Sequence, residues 1–171
     1  PGNAEPLQRA AERRDETVDV VMEVDVGLNR MGPPPGEPAV ELGRALDAMP
    51  NLNLVGILGH DGHVKRAADS AADYERICRD VGDELAETVE MLAAAGIEVA
   101  DVITGATATA KYIGQHPVVT EIDPGRYVFN DVGLLDACPT VTEADCALKV
   151  VTTVVSTPTE ERAIVDAGAK T

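Results

Sequence analysis

A chain of 171 residues with 44% hydrophobic content can bury one good-sized core, but only 2% of its residues are aromatic, so Ala, Val, Leu and Ile must build it. Thirty acidic residues against 14 basic ones give a formal net charge of −16; an anionic surface of that density repels nucleic acid and anionic membranes, and neither is expected as a partner. No stretch resembles a membrane span or a signal peptide. The 3 cysteines, without a CxxC pair or a Cys/His cluster, argue against a disulfide framework and structural zinc, and reduced thiols in a cytoplasmic setting are the default. Acidic excess, scarce Lys and abundant Ala point to a salt-rich, halophilic cytoplasm in which screening relieves self-repulsion. The alternative is an ordinary acidic cytosolic protein.

In chain order, residues 4–14 read as the end of a helix, with Leu7, Ala10 and Ala11 on one side and charges on the other. Residues 18–26, rich in β-branched side chains, read as a strand. Pro33-Pro34-Pro35-Gly36 breaks the chain, and Glu37-Pro38 suits the first turn of a helix that runs to about Met49. A second strand follows at 52–58. A long amphipathic helix is expected over 71–95, with Ile77, Val81, Leu85, Val89 and Leu92 at helical spacing and Gly96 as its C-terminal stop. Residues 97–103 and 118–122 are the third and fourth expected strands. Beyond Asp136 the texture changes: 147–156 and 162–166 read as strands joined by a turn at Pro158.

Alternating strands and helices imply a parallel sheet with crossover helices, and the tail implies an antiparallel β region. The strands are continuous apolar runs, as expected when both faces are covered.

Each expected strand ends in a Gly-containing polar cluster. The first is Asp25 to Gly32 (DVGLNRMG), the second Gly59-His60-Asp61-Gly62-His63. The third runs from Thr104 through Gly105, Ala106 and Thr107 to Thr109, and the fourth is Asp123-Pro124-Gly125-Arg126-Tyr127. Carboxyl ends of parallel strands are where α/β barrels and open sheets place their sites. Each cluster also has a plainer reading. Asp, Gly and Asn favour turns in any case, and an Arg in such a turn is often a surface ion pair. A strand-end His is often a hydrogen-bonded structural group, and no pattern of metal ligands surrounds His60 and His63. The glycines at 56, 59 and 62 do not form a dinucleotide fingerprint. The Thr104–Thr109 loop is the best phosphate candidate, because small residues expose backbone N–H groups and the threonines add hydroxyls. A following short helix would add its dipole. Gly125 and Arg126 could add further N–H groups. His116 reads as loop filler.

Asp25-x-Gly27-x-x-Arg30-x-Gly32, continued by Pro34-Pro35-Gly36-Glu37-Pro38, resembles a segment of D-threonine aldolases and D-serine dehydratases and, more distantly, of alanine racemases. GHDGHV at 59–64, the Gly/Thr loop at 104–109, VVTEIDPGRYVFND at 118–131 and AIVDAGAKT at 163–171 are similar to that family in the same order. The resemblance implies a fold-type III pyridoxal 5'-phosphate (PLP) enzyme: an α/β protein with a (β/α)8 TIM-type barrel, followed by a β domain. It implies a partial barrel at 1–137 and the start of the β domain at 138–171. Arg30 would lie near the cofactor ring, on its O3′ side or at the substrate, and Gly125 and Arg126 would give backbone donors to the phosphate. Thr104, Gly105, Ala106, Thr107, Asp123 and Tyr127 complete the cofactor-binding set. His60, His63 and Arg30 are the catalytic candidates, a histidine acting as the base or orienting it.

Alanine racemases carry an Arg at the position of Asp123, facing the pyridine nitrogen. Its replacement by Asp argues against simple racemase chemistry. The family's Schiff-base lysine lies on an upstream strand, and none of Lys65, Lys111, Lys149 or Lys170 sits in that context. Its metal ligands would lie beyond Thr171, so no metal ligand is assigned here. The expectation is therefore an internal piece of a PLP-dependent lyase cleaving small D-3-hydroxy amino acids, without turnover of its own, from a homodimeric parent. The alternatives are a D-serine dehydratase, a racemase of the same fold, or a non-catalytic PLP- or phosphate-binding module.

Overall fold

The computed structural model describes residues 2–135 and 138–168. Helix α1 (Ala4–Glu12) leads into strand β1 (Val18–Glu23), then α2 (Glu37–Asp47), β2 (Leu52–Gly59), a short α3 (Val64–Ala67), the long α4 (Ala71–Ala94), β3 (Asp101–Thr104), a one-turn α5 (Ala110–Ile113) and β4 (Glu121–Ile122). A short helix α6 (Val132–Leu135) precedes an antiparallel ribbon of β5 (Val154–Thr159) and β6 (Arg162–Val165). The first four strands form one parallel sheet in the order β1-β2-β3-β4. A doubly wound sheet reverses its strand order at a switch point, whereas this order is sequential, as along the arc of a barrel wall.

The core is aliphatic, as the composition requires. Val40 and Leu46 of α2, Val81, Leu85 and Leu92 of α4, and Met22, Leu54, Ile57 and Val102 of the strands are all buried. Gly43 lets α2 close on α4, because a Cβ there would stand 2.8 Å from the Leu92 side chain. Ser70 caps α4 by accepting the Asp73 N–H. At its other end Gly96 takes φ +83°, and Ile97 and Gly96 donate to the Leu92 and Ala93 carbonyls in a Schellman arrangement. Thr88, buried in α4, accepts the N–H of Gly36 and so pins the Pro-Pro-Pro-Gly loop.

Several sequence-based boundaries change. The third strand begins at Asp101, because residues 97–99 climb from the helix stop back to the sheet, and Ala100 N–H to the Val55 carbonyl is their first rung. The fourth shrinks to Glu121–Ile122, and 147–153 carry no strand. Pro158 lies inside β5, within a register irregularity between Ser156 and Thr159, and the chain reverses instead at 160–161. A two-stranded ribbon tolerates this because each strand has an edge without ladder bonds. Coverage of both faces is incomplete: β2 exposes Asn53 and half-buries Val55 and Leu58, β1 leaves Asp19 and Val21 exposed, and β4 is exposed throughout. His116 is no filler: its ring packs over Gly82, with Nε2 3.1 Å from Asp83 Oδ1 and Nδ1 accepting the Val118 N–H. The expected domain boundary at 137/138 and Lys170 lie outside the described residues.

Candidate functional site

The loop after β1 is shaped by its own side chains. Asp25 Oδ1 accepts the N–H groups of Gly27 (3.0 Å) and Asn29 (2.8 Å), and Asn29 adopts a left-handed φ of 57°. Gly32 (φ +88°) passes so close to β1 that a Cβ would stand 2.3 Å from the Glu23 carbonyl oxygen. Gly27 (φ +120°) leaves room for the His63 ring, whose Nε2 would be 2.9 Å from a Cβ at that position. The D-x-G-x-x-R-x-G spacing is thus the recipe for a loop folded back on its own strand. Arg30 does not turn toward the other loops; its guanidinium pairs with Glu23 Oε1 at 2.7 Å and is half exposed.

After β2, His60 Nδ1 stands 3.7 Å from Asp123 Oδ2, joining the second loop to the fourth. Asp61 is fully buried and accepts the Thr109 hydroxyl at 2.9 Å through Oδ1, while Oδ2 has no hydrogen-bond partner. Burial pushes its carboxyl up to about 6, opposed by the Thr109 bond and the nearby His60. Burial also holds the His63 imidazole below the ordinary histidine range; Asp25 opposes that shift and His60 adds to it. His63 Nδ1 is buried without a partner. The one turn of α3 then carries Lys65 and Arg66 back toward the strand ends.

After β3, the Thr104 hydroxyl donates to the Gly59 carbonyl and is wholly buried, so it ties strands together beneath the site. Gly105 (φ +104°) starts the turn, and Thr109 Oγ1 closes it by accepting the Ala106 N–H at 2.7 Å. After β4, Arg126 N–H donates to Thr107 Oγ1 at 3.0 Å, cross-linking the third and fourth loops, and its guanidinium pairs with Asp131. Among the described residues the backbone N–H groups of Thr107, Ala108 and Gly125 have no protein acceptor. Helix α5, at 4 residues, is too short to add much of a dipole.

These loops enclose a cleft of about 400 Å³ lined by Leu28, His60, Asp61, Gly62, Lys65, Arg66, Ala106, Thr107, Ala108, Thr109, Gly125 and Arg126. A neighbouring cavity of about 640 Å³ shares Thr107 and carries Asp123, Tyr127 and Lys111. Of the residues expected from sequence, His60, Ala106, Thr107, Gly125 and Arg126 meet in the first space and Asp123 and Tyr127 in the second. Thr104 and Gly105 lie below, His63 packs against Gly27, and Arg30 stands apart. Sequence reasoning passed over Asp61, Lys65, Arg66 and Ala108. Asp61 was visible only as a member of a His-rich string, and the α3 cations were masked because no periodicity marks a one-turn helix.

In a molecule of net charge −16, a cleft edged by Lys65, Arg66 and Arg126 and presenting free backbone N–H groups is a local exception. It has the chemistry of an anion grip. Four sequential parallel strands whose carboxyl-end loops line one cleft define an α/β-barrel protein with a candidate site at its rim.

Residues 1–131 match the alanine racemase N-terminal domain, and the chain belongs to that family. It is 28% identical over 171 residues to the D-threonine aldolase of an Arthrobacter species, covering 98% of this chain and 44% of that protein. The crystal structure of D-threonine aldolase from Filomicrobium marinum is similar with a TM-score of 0.78 and 30% identity, over 96% of this chain and 45% of that one. D-threo-3-hydroxyaspartate dehydratase from Delftia sp. HT23 is similar with a TM-score of 0.80 and 28% identity, over 95% and 43%. The chain thus spans less than half the length of these relatives, and its sheet is part of a TIM-like barrel.

Proposed function

We propose that this chain is the phosphate-gripping part of a PLP-dependent lyase acting on small D-3-hydroxy amino acids, nearest in kind to a D-threonine aldolase. The observation that carries the reading is the cleft itself. Thr107, Ala108 and Gly125, whose N–H groups have no acceptor among the described residues, line it together with Lys65, Arg66 and Arg126, the last paired with Asp131. A phosphate dianion needs several donors and compensating charge, and both are supplied there. A Cβ at Gly125 would meet nothing within 4 Å, so that backbone is open to approach. The residues present fit the phosphate end of the cofactor. The relatives include both an aldolase and a dehydratase, and the Delftia enzyme's named substrate carries its hydroxyl on carbon 3.

Bound in this way, the cofactor supplies the electron sink for the pair left when a bond to the substrate α-carbon breaks. The chain's own contribution is positioning and proton handling. Thr107 and the 106–109 turn hold the phosphate end, and the Thr107–Arg126 bond keeps two loops in register. His63, whose imidazole burial holds below the ordinary histidine range, is the base candidate, and His60 stands 3.7 Å from Asp123 as the second. Arg30 remains a substrate- or ring-facing candidate that must leave Glu23 to serve, an exposed pair worth about 1 kcal/mol or less. Among the described residues no three His, Cys, Asp or Glu side chains come together. A cytoplasmic, salt-rich setting and a homodimeric parent belong to the same reading.

The test compares PLP with pyridoxal, which lacks the phosphate, by calorimetric titration of the chain. PLP should bind more than about tenfold tighter, and Thr107→Val should remove most of that advantage, a loss of about 1 kcal/mol or more. Equal affinities for the two compounds would end the reading. With PLP and D-threonine together the chain should release no sustained glycine.

A further inference from the structure

Asp61 has no role in the scheme above, yet it lines the cleft beside Thr107 and is fully buried. Oδ1 accepts the Thr109 hydroxyl and the backbone N–H groups of Ala106 and Asp61 bear on the carboxylate, while Oδ2 has no hydrogen-bond partner among the described residues. A buried carboxylate oxygen without a donor is costly. A carboxylate charge beside a dianion in a dehydrated cleft is costlier still. A proton on Oδ2 removes the charge, which is the larger of the two costs, and leaves Oδ1 free to go on accepting from Thr109.

We propose that Asp61 is a positioning residue of the anion cleft, one that takes up a proton from solvent when a phosphate-class dianion binds while holding the 106–109 turn through Thr109. This rests on the phosphate-binding reading and adds to it a defined proton stoichiometry. The charge surroundings favour the exchange. His60 faces Asp61 from its own loop, and Lys65 and Arg66 share the cleft from α3. From α4 the facing group is Cys78, whose thiol burial pushes up to about 12, so it stays uncharged. From the β4 side come Arg126 and, paired to His60, Asp123. His63 packs on Gly27 beside Asp25. Burial already brings the Asp61 carboxyl to about 6, so the neutral form is accessible near neutrality before any anion arrives.

Sulfate is the probe, because it stays a dianion across the whole range and contributes no titration of its own. Calorimetry at constant ionic strength, in two buffers of different ionisation enthalpy, gives the protons taken up per sulfate. Near about pH 6.5 the wild-type chain should take up roughly half a proton more than Asp61→Asn. Proton exchange common to both proteins cancels in that difference. Asp61→Asn should also bind sulfate at least roughly threefold more tightly than wild type near about pH 7.5. In carbon-13-labelled wild type the pH midpoint of the Asp61 carboxyl should rise on adding sulfate, a readout that needs no variant. Sulfate binding with equal proton uptake in both proteins, or a midpoint that does not move, overturns the role of Asp61 and leaves the cleft intact. Failure of both proteins to bind sulfate at any pH overturns the phosphate reading, and Asp61 with it.

Discussion

Asp61→Asn should make the protein's stability less sensitive to pH even with no anion present. Asn keeps the Oδ1 that accepts from Thr109 and places a neutral group where Oδ2 lies without a partner. A carboxyl whose folded value is raised from 3.8 to about 6 binds its proton more tightly in the native state. Stability is therefore highest while the group is protonated, falls as pH rises from about 3.8 to about 6, and stays lower above that. The full difference is about 3 kcal/mol, at ~1.36 kcal/mol per pH unit. Between about pH 5 and about pH 7.5, clear of the acidic isoelectric region, about 1.4 kcal/mol of it is accessible. Urea unfolding followed by circular dichroism at those two pH values measures it. The advantage of the variant over wild type should grow by about that amount toward the higher pH. The other acidic groups act alike in both proteins and cancel in the difference. Parallel stabilities would mean that Asp61 is solvated or partnered and that the carboxyl is not raised.

Gly32→Ala and Gly96→Ala form a matched pair, since both glycines have a left-handed φ but only Gly32 abuts backbone. Gly96→Ala should cost about 1 kcal/mol and Gly32→Ala more than about 2 kcal/mol, read from urea midpoints; equal losses would deny the close approach to Glu23. Ser70→Ala removes the cap of α4 and should lower stability by about 1 kcal/mol, read from the urea midpoint. Cys78, buried and with its thiol pushed up to about 12, should resist iodoacetamide in the native protein and react only as urea unfolds it; fast native labelling would contradict its burial.

Much of the fold was legible before any coordinates. Helical spacing from Ile77 to Leu92, the stop at Gly96 and the apolar run of β2 are local signals, and the elements formed where those signals lay. The four clusters after the strands were likewise readable, because Gly, Asp, Asn and Thr announce turns from their own chemistry. Boundaries depended on neighbours. Strand β3 starts late because its pairing begins at Val55, and β5 accommodates Pro158 because a ribbon has open edges.

What a cluster does was harder to read than where it lies. Arg30 looked like a site residue and pairs with Glu23 seven positions earlier, across a fold-back that only Gly32 permits. Thr104 looked like a phosphate donor and instead ties β3 to β2. Asp61 became notable only once α4 and the Thr109 turn closed over it and removed its water.

The amino-acid sequence by itself determined which segments are strands and helices, that the core is aliphatic, and that polar loops follow the strands, since these follow from local propensity and spacing. The tertiary structure decided which loop residues share one cleft, which N–H groups remain free, and which carboxyl is deprived of solvent. Those are properties of residues tens of positions apart in the chain, and burial and proximity exist only after the strands have been laid side by side.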